Sequence, residues 1–292
     1  MISLTVLIKC LIEIKSPRAS RPPEGSGYHA AMSFKNWLKG RSPGVEILDR
    51  NGVRSLHLGG TAIQSAIRLA TPDMLELHYT RTMMAALLFN DAPRELLMIG
   101  LGGGSIVRFA YSRLPETRTT AVEIQPEVVA AARAWFGVPP DDARLNVEVA
   151  DGLAYLQAHP RSADLLLMDA FEGHESPPHL RTLGAYEACY EALRPHGILV
   201  QNFMAADSKL DTCLERLTDA FDRRVLTLPS GDRANTIAFG FRTATRRWPI
   251  EHLKARAIRL EQQFELSFQA MLKDLLAHNA CSASQLLLGD AD

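Results

Sequence analysis

Two carboxylates leave an apolar run in Leu165-Leu-Leu-Met168-Asp169-Ala170-Phe171-Glu172-Gly173, which is followed by His174, Glu175 and Pro177-Pro178. A short apolar run bounded by turn residues reads as a buried strand. Asp169 therefore stands at a strand end, and Glu172 lies in the proline-rich loop beyond it. Ligands of open α/β sheets bind outside the carboxyl ends of the strands. Acids placed there can hold a cationic substrate and accept a proton from a nucleophilic amine. The plainer alternative, Asp169 as a loop cap and Glu172 as a solvated charge, carries less weight because the strand delivers Asp169 away from open surface.

Three earlier strand ends bear complementary chemistry. Gly100-Leu-Gly102-Gly103-Gly104-Ser105 follows the apolar LLMI and precedes a helix containing residues 107–112. Such a loop lets a ligand approach the backbone, and the following helix start offers free N–H groups. Glu123 ends TTAVEI about twenty residues downstream, the distance expected of an acid that binds ribose hydroxyls. Asp151-Gly152 ends VEVAD, where a carboxylate can accept from the amino group of an adenine. Each acid alone also reads as a helix cap; the ordered set is more specific than any member. The glycine spacing departs from the Gly-x-Gly-x-x-Gly that cradles a pyrophosphate. An adenosyl sulfonium ligand is thus expected in preference to a dinucleotide.

The elements that position these residues follow from patterning. VEIL and VRSLHL flank Asn51-Gly52, a strong hairpin signal, so residues 45–69 are expected to form a small antiparallel sheet. Residues 72–89 have apolar side chains at helical spacing, with Thr71 and Pro72 as cap and first turn. From residue 95, LLMIGLG, TTAVEI, LNVEVAD, DLLLMDAF, GILVQNFM, RVLTLP and TIAFGFR alternate with helical stretches at 126–136, 182–193 and 208–221. Alternating strands and helices imply an α/β fold, a mostly parallel Rossmann-like sheet covered on both faces. Residues 248–276 repeat apolar side chains by threes and fours, which predicts one long amphipathic helix. The expected organisation is an arm at 1–44, a small sheet with a connecting helix at 45–90, a ligand-binding α/β domain at 91–245, and a helix and tail at 246–292.

Composition narrows the class. The 292 residues carry 32 Lys+Arg against 33 Asp+Glu, a net charge of −1, so the field that favours non-specific nucleic-acid binding is missing. Cys10, Cys189, Cys213 and Cys281 are scattered, with neither metal-ligand spacing nor a disulfide framework. Residues 1–14 carry Lys9 and Glu13 and are too short to span a bilayer. The Pro/Ser/Gly-rich 16–27 reads as a linker, and the folded part is expected to begin near Met32 or Val45. A cytoplasmic protein without membrane or nucleic-acid partners is expected.

From 45 to 242, about two thirds of the chain, the sequence resembles the spermidine synthase family, the polyamine aminopropyltransferases, especially its short bacterial spermidine-synthase-like members. The matching stretches are VRSLHLGGTAIQSAI, LELHYTRTMM, LLMIGLGGGS, AVEIQPEVV, VADGLAYL, LLLMDAFEG and LRPHGILVQN, in that order. The resemblance implies transfer of an aminopropyl group from decarboxylated S-adenosylmethionine to an amine such as putrescine, releasing methylthioadenosine. It implies Asp169 as the catalytic acid, Glu172 as a second acid for the acceptor, Tyr79 in the amine pocket and Gln64 near the aminopropyl end of the donor. The donor is then expected to lie along Gly100, Gly102, Gly103, Gly104, Ser105, Glu123, Asp151 and Gly152. No metal or prosthetic group is implied, and family members commonly form homodimers.

Two departures bear on the acceptor. Ser105 stands where the family usually has the Asp of Gly-Gly-Gly-Asp, and Leu228 stands where a tyrosine often precedes the proline. Glu172 and Glu175 are candidates to compensate for the lost acid. A methyltransferase of the same fold using intact S-adenosylmethionine is the alternative that Ser105 suits, although Met98 occupies a position where many methyltransferases carry an acid. A non-catalytic nucleoside-binding protein is the third reading, and the pair Asp169 and Glu172 speaks against it.

Overall fold

The computed structural model describes residues 32–33, 44–59, 62–171 and 175–289. The N-terminal arm and Cys10 mostly precede these, and Glu172 and His174 also lie outside the described residues. Strands β1 (Met32–Ser33), β2 (Val45–Arg50), β3 (Val53–Leu58) and β4 (Ser65–Arg68) form an antiparallel sheet in that order. Asn51 and Gly52 both take positive φ, 52° and 75°, as a two-residue hairpin turn demands. Alternation along the strands turns Val45, Ile47, Leu56 and Ile67 to one side, onto Val128, Ala131 and Phe136.

The helix expected over 72–89 is shorter. Helix α1 spans His78–Met83 and continues as a 3-10 turn over Met84–Leu88. The Arg81 guanidinium donates to the Leu75 and Glu76 carbonyls at 2.6 and 3.0 Å, and Leu75 is buried. The segment before α1 thus satisfies its carbonyls with a side chain instead of a helical ladder, and neither Thr71 nor Pro72 caps anything.

The central sheet is built from β5 (Glu95–Ile99), α2 (Ser105–Arg113), β6 (Arg118–Glu123), α3 (Pro126–Phe136), β7 (Leu145–Val149), α4 (Gly152–Ala158), β8 (Ala163–Met168), α5 (Leu183–Ala192), β9 (Leu193–Met204), α6 (Leu210–Ala220), β10 (Val225–Pro229) and β11 (Asn235–Phe241). Its spatial order is β10-β11-β9-β8-β5-β6-β7. Strands β5 to β9 run parallel, and β11 is antiparallel to both of its neighbours. Leu96 and Met98 face one core with Phe109, Leu260 and Phe264, whereas Leu97 and Ile99 face a second with Leu156, Tyr186 and Leu217. This two-sided burial explains why the central strands β5 and β8 are apolar at nearly every position. The chain moves outward from β5 through β6 to β7 and then returns to place β8 beside β5, so the order reverses between β5 and β8. That crevice is where such sheets bind ligands.

The single C-terminal helix expected over 248–276 is two helices. Trp248 lies in β12 (Arg247–Pro249), which pairs with β13 (Gln285–Leu287), and helices α7 (Ile250–Phe264) and α8 (Phe268–His278) follow β12. Phe264, Leu266 and Phe268 are all buried, and side chains two apart cannot share one face of a continuous helix. Glu265 resolves the conflict by taking a left-handed conformation, φ 59°. No helix among the described residues is long and apolar enough to cross a membrane.

Candidate active site

A cavity of about 520 Å³ opens over the β5/β8 crevice and is lined from both sheets. Gly100 shows how tightly the crevice is built. Its φ is +90°, and a Cβ there would sit 2.3 Å from the Asp169 carbonyl oxygen, so the glycine loop and the end of β8 lie backbone against backbone. Gly104 takes φ +70°, with Val138 where its Cβ would be, at 2.2 Å. Gly100, Gly102 and Gly152 line the cavity, whereas Gly103 and Gly104 are not part of the lining and pack against Ser65, Phe136 and Val138.

Glu123 is 8% exposed and accepts from the Leu101 N–H at 2.9 Å and the Gln125 N–H at 3.0 Å, one on each oxygen. It therefore pins the glycine loop, and each carboxylate oxygen retains a second acceptor position for a hydroxyl. Beside it Ile124 is 58% exposed and lines the cavity, an apolar surface left open to a flat ring. Asp151 caps α4 through the Ala154 N–H at 2.8 Å, and its other oxygen lies 3.5 Å from His179 Nε2. It thus serves as a helix cap and still faces the cavity.

Asp169 follows β8 and is held on both oxygens: Asn202 Nδ2 donates to Oδ1 at 2.8 Å and Tyr79 Oη donates to Oδ2 at 3.1 Å. Burial raises the Asp169 pKa above the ordinary carboxylate value, against the lowering effect of these two bonds. Burial, together with the neighbouring Asp169 charge, pushes the Tyr79 phenol well above 10, so Tyr79 stays a donor. Tyr79 also reaches the Gln64 carbonyl at 3.4 Å, and Gln64 lines the cavity.

Ser105 opens α2 and lines the cavity, but its hydroxyl is engaged in packing. It donates to the Ala66 carbonyl at 3.1 Å and lies 3.1 Å from Ser65 Oγ. Nearby Arg108 is buried and donates to the Gly103 and Pro72 carbonyls at 2.6 and 3.2 Å. Ser105 thus joins the small sheet to the glycine loop. Leu228 is 1% exposed in the core of the main sheet and does not line the cavity; the β10–β11 hairpin presents Asp232, Ala234 and Asn235 instead.

Asn202, Asn235 and Asp232 carry no motif. Asn235 Nδ2 donates to Asn202 Oδ1 at 2.9 Å, which fixes the Asn202 amide with its NH₂ towards Asp169. The Asn235 N–H donates to Ser230 Oγ at 3.0 Å, and Ser230 Oγ donates to Asp232 Oδ1 at 2.5 Å. Partial burial works to raise the Asp232 pKa, but the bonds from Ser230 and the backbone, including the Ala234 N–H, together with the neighbouring His78 charge, outweigh it and leave Asp232 below the usual carboxylate value. The signal for Asn202 is two polar residues, Gln201-Asn202, inside the otherwise apolar and buried second half of β9, residues 198–203.

The Spermine/spermidine synthase domain model matches residues 76–212. A polyamine aminopropyltransferase of Chromobacterium violaceum is 39% identical over 246 residues, covering 84% of this chain and 94% of its own. The chain belongs to the spermine/spermidine synthase family. A probable spermidine synthase from Corynebacterium glutamicum shares the fold with a TM-score of 0.63 at 20% identity, covering 90% of this chain and 99% of its own. Human methyltransferase-like protein 13, solved with SAH, has a TM-score of 0.59 at 26% identity and covers 65% of this chain and 93% of its own. The family fold, a small antiparallel sheet ahead of a methyltransferase-like α/β sheet, is thus the one observed.

Proposed function

We propose that this family member is a polyamine aminopropyltransferase that uses decarboxylated S-adenosylmethionine as donor. The observation that carries the reading is the charge of the cavity wall. Glu123, Asp151, Asp169 and Asp232 line it together with Glu76, which is paired with Arg68, and among the described residues no Lys or Arg lines it, in a chain whose total charge is nearly balanced. A sulfonium donor and an ammonium-bearing acceptor are cations, and opposite charge within a partly desolvated pocket favours both. The carboxylate of intact S-adenosylmethionine would meet no Lys or Arg among the described residues of this wall, and its two histidines, His78 and His179, lie beside the acids Asp232 and Asp151, so the methyltransferase alternative is the weaker one.

The adenosine fits the side formed by β6 and β7. Glu123 offers its remaining acceptor positions to the ribose hydroxyls, Ile124 covers the base, and Asp151 accepts from the exocyclic amine. The sulfonium then lies near the glycine loop, and the acceptor nitrogen lies at Asp169. Asp169 takes the proton from the acceptor nitrogen as the nitrogen lone pair attacks the aminopropyl carbon bound to sulfur. The carbon–sulfur bond breaks, its electrons neutralise the sulfonium, and methylthioadenosine leaves. Burial gives Asp169 a pKa raised towards that of a working base, and its two fixed donors orient the carboxylate, so positioning supplies much of the rate. Chromatography of a reaction given both donor forms and a panel of amines tests this: methylthioadenosine released only when an amine is present is expected, and S-adenosylhomocysteine from intact donor would overturn it.

A further inference from the structure

The strand order places Asp169 between two sets of acids. Glu123 and Asp151 follow β6 and β7 on one side of β8, and Asp232 lies on the hairpin before β11 on the other. The donor in the proposed reading occupies the β6–β7 side, which leaves the β9–β11 side to the acceptor. Strand β11 is two strand spacings from β8, roughly 10 Å. The wall between is the polar string already described, Asp169 to Asn202 to Asn235 to Ser230 to Asp232. Of the two charged residues in the hairpin turn, Asp232 lines the cavity and Arg233 does not. Both hydrogen bonds given to Asp232, from Ser230 Oγ and the Ala234 N–H, land on Oδ1. His78 lines the same wall, its Nδ1 lying 3.1 Å from where a Cβ on Gly231 would be.

We infer that Asp232 anchors the second, non-reacting ammonium of the acceptor and so makes the site selective for α,ω-diamines over monoamines. This rests on the aminopropyltransferase reading above. A diamine spanning the string places one nitrogen at Asp169 and the other at the hairpin, where Oδ2 of Asp232 receives it. The Ser230 and Ala234 bonds fix the Asp232 carboxylate at a set distance from Asp169, so chain length is read as well as charge. Asp232 thereby supplies an acidic contact from a part of the chain where the family resemblance pointed to Leu228, whose side chain is buried elsewhere.

The test measures methylthioadenosine release by the full chain with decarboxylated S-adenosylmethionine, comparing butanediamine with butylamine and then propane-, pentane- and hexanediamine. Asp232→Asn keeps the Oδ1 acceptor that Ser230 and Ala234 use and removes only the charge. The expected result is a fall of about tenfold in the diamine-to-monoamine ratio of kcat/KM, carried by KM for the diamine, the size typical of one hydrogen bond to a charged group. Asp232→Glu is expected to recover most of the ratio and to move the preferred diamine towards a shorter one. An unchanged ratio in Asp232→Asn, with nucleoside still released, overturns this assignment alone. Absence of nucleoside release from the wild-type chain with every amine overturns the parent reading and this one with it.

Discussion

Replacing Tyr79 with Phe removes one of the two donors on Asp169 and little else. In the proposed reaction Asp169 works as a carboxylate, so activity is expected to fall as pH drops through its pKa. Burial raises that pKa, and the bonds from Asn202 and Tyr79 oppose the rise. Tyr79→Phe leaves the burial in place and takes away the bond at 3.1 Å, so the acid limb of kcat/KM must move to higher pH. A hydrogen bond to a charged group contributes about 1.5–3 kcal/mol, and one pKa unit corresponds to about 1.4 kcal/mol. The moderate length of this bond, and the competing Gln64 carbonyl at 3.4 Å, favour the lower figure, a displacement of about one unit. The assay is nucleoside release at subsaturating amine across the acid limb for wild type and variant with the same acceptor. Titration of the amine is then common to both curves and cancels in the difference. Coincident limbs, or a displacement to lower pH, would refute the base assignment of Asp169 and the role of Tyr79 in tuning it.

Asp169→Asn is expected to abolish turnover while equilibrium dialysis still detects donor binding. It should also raise the melting temperature at neutral pH. An acid whose folded pKa is raised binds more protons folded than unfolded, so its destabilising effect develops as pH rises through the folded value and is absent below the unfolded one. A scan of melting temperature against pH should therefore show the two proteins converging in acid, and equal stability at neutral pH would count against a strained carboxylate. Gly100→Ala should cost about 2–4 kcal/mol, because its Cβ meets the Asp169 carbonyl at 2.3 Å with φ at +90°; urea unfolding measures it, and a loss under about 0.5 kcal/mol would contradict the packing of this crevice. Glu265→Gly should stabilise by about 0.5–1 kcal/mol by relieving a left-handed non-glycine residue, since the exposed contact of Glu265 with Arg113 at 3.4 Å offsets little. Calorimetry checks it, and unchanged nucleoside release is expected alongside.

The fold was legible from residue 95 to 241 because the central strands β5 and β8, buried on both faces, are apolar at nearly every position, and the glycine loop, Glu123, Asp151 and Asp169 all mark strand ends. The hairpin at Asn51-Gly52 was equally open, since few dipeptides accept two positive φ values in succession. Periodicity misled in two places where a tertiary contact overrides a local pattern. At 72–77 the Arg81 guanidinium takes the carbonyls that a helix would have used. At 264–268 the demand to bury Phe264, Leu266 and Phe268 together breaks a repeat that looks continuous at threes and fours.

The site divides along the same line. Residues that must sit at a given strand end, such as Glu123 and Asp169, announce themselves by sequence position. Residues that matter because a neighbouring strand brings them close do not, and Asn202 is the clearest case: Met168 and Gln201 are partners in the β8–β9 register, so the residues after them, Asp169 and Asn202, come level only once the sheet exists. The two departures from the family pattern also change meaning in three dimensions. Ser105 bonds to β4 and Leu228 packs inward, so neither substitution empties the acceptor side of the cavity of charge. A hairpin turn read one residue at a time gives no reason to prefer Asp232 to Arg233; the hydrogen bond from Ser230 turns one of them inward, and the specificity of the pocket follows from that choice.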